Sequence, residues 1–287
     1  MFAWAKQEKA DLLTSERTTV GCKFNIMISW FRELVAYREL LYIIVWRDIR
    51  IKYKQTVMGF LWALFMPMFI IVAGIMVRLA MSTISGKPME TAEVVSVSIK
   101  AIPWAFLISS IRFGSNSLIA NTSLITKIYF PKEILPISAV LSQLFDFLVA
   151  SCILAVVLIL FQIEVSIHVL WIPILFFLLV TLAMATGLIL AAANLFFRDV
   201  KYIVEVLVNM AIFFTPVFYE AELAGRWKWI LMINPVAPIL EGLNSTIVLH
   251  MVPDIGWILY STTVSFGMMV LAISLFKRLE SKFAEYV

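Results

Sequence analysis

Residues 41–67, LYIIVWRDIRIKYKQTVMGFLWALFMP, decide the fold of this chain. The first part of the stretch mixes apolar residues with four closely spaced cations, Arg47, Arg50, Lys52 and Lys54. Charge then stops, and residues 57–77 form a run of 21 positions without any. Because a helix needs about 20 apolar residues to cross a bilayer, this run predicts a membrane span. The stretch as a whole predicts a basic interfacial segment that leads into that span.

The composition of the whole chain agrees with a membrane protein. Of its 287 residues 62% are hydrophobic, and the mean hydropathy is +0.96. A soluble domain of this size would expose far too much apolar surface. We expect an all-α integral membrane protein with a polar N-terminal tail (1–23), an amphipathic interfacial segment (24–56), a transmembrane domain (57–276) and a C-terminal tail (277–287).

Apolar runs predict six spans, because backbone groups in lipid must pair within their own segment. The runs lie at 57–77, about 101–120, about 135–161, within 165–197, about 203–219 and 255–276. Residues 220–254 are apolar but broken by Pro235 and Pro238, which predicts two short re-entrant or interfacial helices. Most of the 23 Lys and Arg residues fall on one side of this arrangement, so both termini are expected in the cytoplasm.

Several kinds of chemistry are missing from the sequence. No G-x-x-x-x-G-K-[ST] motif occurs, so the chain has no Walker A loop for ATP. His168 and His250 are far apart, and Cys22 and Cys152 lie in unlike surroundings, so neither a metal site nor a disulfide is expected. The sequence therefore favours a protein that is not an enzyme and holds no cofactor of its own.

The first and second spans carry the candidate functional side chains. Trp62, Phe65 and Phe69 share one face of the first span at about 100° per residue. That face suits either helix packing and lipid contact or the wall of a conduit. Charges inside a bilayer need partners, so Arg112 and Asp146 are expected either to pair with each other or to contact the substrate directly. Ser109 and Asn116 share the helix face of Arg112, and with Asp146 of the next span they predict a polar strip, Ser109, Arg112, Asn116 and Asp146, that borders a hydrated path.

Two further segments allow both a plain and a functional interpretation. The loop at 121–133, NTSLITKIYFPKE, is either a connecting turn or a short helix that another protein grips. The four cations between Arg47 and Lys54 either set topology and attract anionic lipids or form an entrance for an anionic substrate group.

Five motifs in order resemble one family, the ABC-2 permeases that export polysaccharides. The motifs are WRDIRIKYKQTVMGFLWALFMP (46–67), LITKIYFPKEILPISAV (124–140), NLFFRDVKYIV (194–204), TPVFY (215–219) and INPVAPILEGLN (233–244). The resemblance runs from about Leu40 to Phe276. The family includes the permeases of O-antigen, capsule and teichoic-acid exporters. The resemblance therefore implies a transport subunit in the bacterial cytoplasmic membrane, and we favour the inner membrane of a Gram-negative bacterium.

The resemblance also implies partners and roles. Two copies of the chain would join two copies of a separate ATPase, which binds ATP and Mg²⁺, and would move a polymer on an undecaprenyl-diphosphate carrier. Trp62, Phe65 and Phe69 would line the channel. The ATPase would dock on a coupling loop containing Lys127, Pro131, Lys132 and Glu133. The carrier diphosphate would meet Arg47, Arg50, Lys52 and Lys54.

Three alternatives to polysaccharide export remain open. They are an ABC-2 exporter of drugs or small lipids, a passive channel, and a membrane glycosyltransferase, which the missing catalytic acids disfavour. The sequence does not name the sugar, and it does not separate O-antigen from capsule or teichoic acid.

Overall fold

The architecture is known from a computed structural model that describes residues 30–54, 61–86, 91–160 and 166–283. The predicted polar tail at 1–23 lies outside these residues. All regular structure within them is helical, as the sequence predicted. Residues 30–36 form a helical lead, and the named helices are α1 Arg38–Lys54, α2 Trp62–Ser85, α3 Thr91–Ala120, α4 Thr122–Lys127, α5 Ile134–Leu160, α6 Ile172–Phe196, α7 Val200–Ala211, α8 Lys228–Met232, α9 Val236–Ile247 and α10 Ile255–Glu280.

Five of the described helical segments are long and apolar enough to cross a membrane. They are Pro67–Ile84, Ala92–Ala120, Ile134–Val156, Ile167–Phe196 and Ile255–Glu280. A sixth crossing exists if the pair Gly225–Met232 and Val236–Ile247 counts as one span, although that pair is bent by 116°. The predicted first, second, third, fourth and sixth spans correspond to α2, α3, α5, α6 and α10.

The predicted fifth span, 203–219, differs from the structure. Its helix, α7, has 12 residues, and turns follow from Ile212 to Val217. At 1.5 Å per residue α7 rises about 18 Å, which is short of the roughly 30 Å of a hydrocarbon core. Pro216 explains the stop, because its ring would clash with the carbonyl of Ile212 in a continuous helix. The Thr215 hydroxyl donates to the Ala211 carbonyl at 2.8 Å, which gives one of the last carbonyls of α7 a side-chain donor.

Helices α3 and α6 form the centre of the bundle. Of their membrane-spanning windows 72% and 56% are buried, against 17% for α2. The two central helices meet through glycine, since a Cβ built on Gly114 would lie 3.1 Å from the Cα of Gly187. Small residues of this kind let membrane helices approach at backbone distance. Most of α2, by contrast, is left uncovered by the rest of the described chain.

The bundle has two ends, which we call the terminal end and the opposite end. The terminal end contains residues 30–50, the loop at 121–133 and the end of α10. There Trp30, Phe130 and Phe283 belong to one buried cluster, so the predicted C-terminal tail begins as a continuation of α10 with Phe283 buried. The opposite end contains the start of α3 and residues 219–254, where the predicted pair of short helices appears as α8 and α9.

The predicted interfacial segment at 24–56 is described only in part, because residues 24–29 and 55–56 lie outside the described residues. Its main helix, α1, packs along α5. Ile44 is buried on that side, whereas Tyr42, Ile43 and Trp46 are exposed. The segment is therefore attached to the bundle through α5 and keeps an apolar exposed side.

Candidate functional site

A cavity of about 390 Å³ lies between the end of α1 and the helices α2, α3 and α5. We call it the Lys52 cavity. Its charged and polar lining comes from Lys52, Ser109, Arg112, Gln143 and Asp146, and its apolar lining includes Pro67, Ile70, Ile102, Phe106, Phe113 and Phe147. Concave, mostly apolar sites with a few convergent polar groups are typical ligand sites.

The charged end of the cavity is built around Asp146. The Lys52 ammonium and the Tyr53 hydroxyl each donate a hydrogen bond to one of its carboxylate oxygens. Lys52 also donates to Gln143 Oε1 at 2.9 Å and lies 5.0 Å from the ring centre of Phe113. Burial, and then the hydrogen bond to Asp146, raise the pKa of the Tyr53 hydroxyl well above its usual range. Because of its ion pair with Lys52, the negative charge of Asp146 balances the positive charge of the Lys52 ammonium.

The predicted Arg112–Asp146 pair is wrong. The Arg112 guanidinium donates instead to Asn209 Oδ1 on α7, at 2.6 Å. The end of α1 enters beside α5 and brings Lys52 and Tyr53 to Asp146, so that carboxylate already has two donors. Both predicted partners nevertheless line one cavity.

The predicted polar strip is brought together in part. Ser109, Arg112 and Asp146 line the Lys52 cavity, and Ser109 donates to the Ala105 carbonyl at 2.7 Å. Asn116 is half-buried one helical turn nearer the terminal end and is not among the lining residues. Whether the strip borders a hydrated path stays a prediction.

The aromatic face of α2 is described only partly, because the side chain of Trp62 lies outside the described residues. The rings of Phe65 and Phe69 are 6.2 Å apart, and Phe69 is exposed. Neither lines the Lys52 cavity. The aromatic residues that do line it are Phe106, Phe113 and Phe147. Phe106 and Phe113 share one face of α3 seven residues apart, which was a usable signal, whereas Phe147 lies on α5 and no local spacing links it to them.

The four cations of the opening stretch differ in their surroundings. Arg47 donates to Asp48 Oδ1 at 2.8 Å and to Asn121 Oδ1 at 2.7 Å. Arg50 lies 5.2 Å from the ring centre of Trp46, and Lys54 is exposed. Arg47 and Lys52 are therefore each paired with a carboxylate of the chain, whereas no carboxylate of the described residues pairs with Arg50 or Lys54.

The predicted coupling loop contains the short helix α4 and an exposed tip. Lys127 and Ile128 are exposed, and Tyr129 is 98% exposed. The Lys132 amide donates to Glu280 Oε1 at 3.1 Å, and its ammonium donates to the Glu280 carbonyl at 3.3 Å. The tip is thus available to a partner, whereas its base is fastened to α10. Tyr129 was not among the predicted site residues, because Phe130 beside it is buried and the sequence does not distinguish the two rings.

Glu133 lies at the buried base of this loop. Its side chain is 1% exposed, and among the described residues its Oε1 has no hydrogen-bond partner. Burial, and then the nearby charge of Glu280, raise the pKa of Glu133 from 4.5 to about 7, while Lys277 acts in the other direction. Lys277 itself pairs with Glu33 of the helical lead at 2.9 Å. A buried group of this kind cannot touch a docked partner directly.

At the opposite end, a charge network holds the turn after α7 against the bundle. Lys100 is fully buried and donates to the Tyr219 carbonyl at 2.8 Å and to Glu241 Oε1 at 3.4 Å. Glu241 also accepts from the Ala221 amide at 2.9 Å. Arg78 pairs with Glu220 at 3.2 Å and with Glu93 at 3.6 Å. The network joins α2, α3, α9 and residues 219–221.

Two earlier expectations concern metals and cysteines. Within the described residues, no group of three or more His, Cys, Asp or Glu side chains is arranged to hold a metal ion. Cys152 is an exposed free cysteine, and Cys22 lies outside the described residues.

Comparison with known proteins adds a family and several relatives. The family model described as ABC-2 type transporter matches residues 39–248. The chain is 27% identical over 264 residues to the O-antigen export system permease protein RfbA of Myxococcus xanthus, covering 91% of this chain and 100% of the relative. Two proteins of the same name from Klebsiella pneumoniae are 27% and 26% identical, each over 86% of this chain and 94% of its own length.

Proposed function

The chain belongs to the ABC-2 type transporter family, and we propose that it is the permease subunit of an ATP-driven exporter of a lipid-linked polysaccharide. O-antigen is the preferred substrate, and the bacterial inner membrane is the expected location. The observation that carries this proposal is the match along almost the whole chain to permeases named for O-antigen export.

The proposed assembly contains two copies of this chain and two copies of a separate ATPase. The exposed tip at Lys127, Ile128 and Tyr129 supports a docking role for the loop at 121–133. Lys132 and Glu133 would act behind that contact, by holding the base of the loop against α10. The little-buried helix α2 leaves a large apolar surface for the second copy.

The proposed route for the substrate begins at the terminal end, which the distribution of cations predicts to be cytoplasmic. Arg50 and Lys54 are the cations of the opening stretch that remain for the carrier diphosphate. Beyond them, Trp62, Phe65 and Phe69 would offer aromatic faces to sugar rings. The segment at 220–252 would close the route on the outer side.

The test is co-expression of the chain with the ATPases encoded beside it. We expect a 2:2 complex whose ATP hydrolysis needs the permease and which supports surface polysaccharide in cells. Tyr129→Ala should weaken the complex about tenfold or more, as expected for an exposed aromatic contact at an interface. Leu170→Ala is the control, because Leu170 is similarly exposed but at the opposite end.

Three outcomes would overturn parts of this proposal. If no ATPase binds and the purified chain conducts solute alone, the chain is a passive channel. If the complex forms but exports only drugs or small lipids, the polysaccharide assignment is wrong. If Tyr129→Ala and Leu170→Ala behave alike, the loop tip is not the docking site.

A further inference from the structure

We propose that the Lys52 cavity binds one anionic phospholipid, with its phosphodiester between Lys52 and Arg112 and an acyl chain in the apolar part. This site goes beyond the proposed function, because it does not depend on what the complex exports. It lies within one copy of the chain, among α1, α2, α3 and α5.

The shape of the cavity suits an amphiphile. On α3 its lining runs from Ile102 to Phe113, a rise of about 16 Å at 1.5 Å per residue. Ile102 and Phe106 are buried at one end, whereas Arg112 is exposed at the other. The apolar end is therefore closed, and the charged end is accessible from the surface of the bundle.

The position of Arg112 also calls for an anion. Arg112 lies eight residues before the end of α3 at Ala120, which is a rise of about 12 Å. A cation at such a depth in a bilayer is costly unless it has a counter-charge. Among the described residues, its hydrogen bond goes to the neutral amide of Asn209. Arginine offers five N–H donors, so donors remain for phosphate oxygens.

The net charge of the side chains at the accessible end predicts the charge of the lipid headgroup that the cavity binds. Lys52 and Arg112 contribute two positive charges and Asp146 contributes one negative charge, which leaves one positive charge. A phosphodiester lipid with a single negative charge balances it, whereas a diphosphate carries more negative charge than the site can neutralise. Asp146 acts as the resident counter-ion of Lys52, and a lipid phosphate competes with it.

The experiment measures lipid retained by the purified full-length chain in detergent, using native mass spectrometry. The chain is incubated with phosphatidylglycerol, which is anionic, or with phosphatidylcholine, which is zwitterionic. We expect selective retention of one phosphatidylglycerol. The double substitution Lys52→Gln and Arg112→Gln should lower that retention about tenfold, the effect of losing charged hydrogen-bond donors.

A matched control separates the site from general surface electrostatics. Arg38 and Lys201 are exposed cations at the same end of the bundle, so Arg38→Gln with Lys201→Gln removes the same charge and should leave retention unchanged. Asp146→Asn should raise retention, because Lys52 loses its competing carboxylate. Ala105→Phe should lower retention without changing any charge, since Ala105 lines the apolar part.

Several results would overturn the proposal. Equal losses in the two double variants would show ordinary surface attraction, and equal retention of phosphatidylcholine would show that charge is not recognised. Displacement of phosphatidylglycerol by a polyprenyl diphosphate that binds more tightly would make the cavity a carrier site. None of these results bears on whether the ATPase complex forms, so the proposed function stands or falls separately.

Discussion

The charged groups at the two ends of the bundle are organised differently. At the opposite end, Arg78 and Lys100 are buried, and each has a carboxylate partner. We call the set of Arg78, Glu93, Lys100, Glu220 and Glu241 the closed network. At the terminal end, the set of Glu33, Lys132, Glu133, Lys277 and Glu280, which we call the terminal cluster, contains a buried carboxylate with no hydrogen-bond partner for its Oε1 among the described residues.

This difference separates charges that hold structure from charges that respond to conditions. In the closed network every buried cation is paired, and removing Lys100 would leave Glu241, whose side chain is 15% exposed, without its cation. In the terminal cluster the pKa of Glu133 is about 7, so its charge changes near neutral pH. We therefore expect the opposite end to be firm and the terminal end, beside the proposed coupling loop, to be adjustable.

The largest expected effect is at Lys100. Lys100→Met should lower the free energy of unfolding by about 3–5 kcal/mol, because Glu241 loses its buried cation. Denaturant titration of the purified protein measures this loss. Adding Glu241→Gln should restore part of it, since the stranded charge is removed while the Ala221 amide keeps an acceptor. A loss below 1 kcal/mol would show that the closed network is not what holds this end.

Glu133→Gln tests the terminal cluster through pH. The raised pKa means that the native protein holds this proton more tightly than the unfolded chain. The Glu133 contribution is therefore most favourable below about pH 4.5 and declines as pH rises to about 7. Relative to the wild type, the variant should gain up to about 3 kcal/mol over this range.

Thermal midpoints measured between pH 5 and 8 check this dependence on pH. Glu39→Gln is the control, because Glu39 is an exposed carboxylate on α1. If both variants follow the wild-type pH profile, Glu133 does not titrate in this range and the terminal cluster is as fixed as the closed network.

Lys277→Gln tests the same titration of Glu133 and is expected to change stability less than Glu133→Gln does. Lys277 lowers the pKa of Glu133, so its removal should move the transition seen in the thermal midpoints to higher pH. The lost pair with Glu33 is partly exposed and should cost about 0.2–1 kcal/mol. A pH profile that does not move would mean that Lys277 is insulated from Glu133.

The smallest effect is expected at Lys228. Its pair with Glu222 lies at the opposite end, at 3.3 Å, but Glu222 is 80% exposed. Lys228→Ala should change the free energy of unfolding by less than about 0.5 kcal/mol, because exposed pairs contribute little. Lys100 and Lys228 lie at the same end of the bundle and differ in burial. Comparing the two losses of stability therefore shows whether burial, rather than position, determines how much an ion pair contributes. A loss comparable to that of Lys100→Met would contradict this explanation.

The sequence predicted the helical class and most spans, because a long uncharged run in lipid must pair its backbone groups within itself and therefore forms a helix. It misplaced their ends. The predicted second span begins at about residue 101, yet α3 begins at Thr91, so Lys100 lies about 14 Å inside the helix. Hydropathy alone could not show this, since buried partners make such a charge tolerable. The run at 203–219 was equally misleading, because composition masked the effect of Pro216.

The candidate site was less predictable than the fold. Arg112 and Asp146 were recognised as notable because charges in spans are rare. The actual donors to Asp146, Lys52 and Tyr53, lie more than 90 residues away on a helix expected to rest on the membrane surface. No local pattern encodes such a contact. Exposure of Tyr129 and burial of Glu133 likewise depend on how the loop at 121–133 meets α10.

The glycine crossing between α3 and α6 has a mechanical consequence. Because Gly114 and Gly187 bring the two backbones into contact, neither helix can slide past the other without a steric clash. We therefore expect α3 and α6 to move together whenever α4, which follows α3 directly, is displaced. Relative movement is then expected at α2, because most of it is left uncovered by the rest of the described chain.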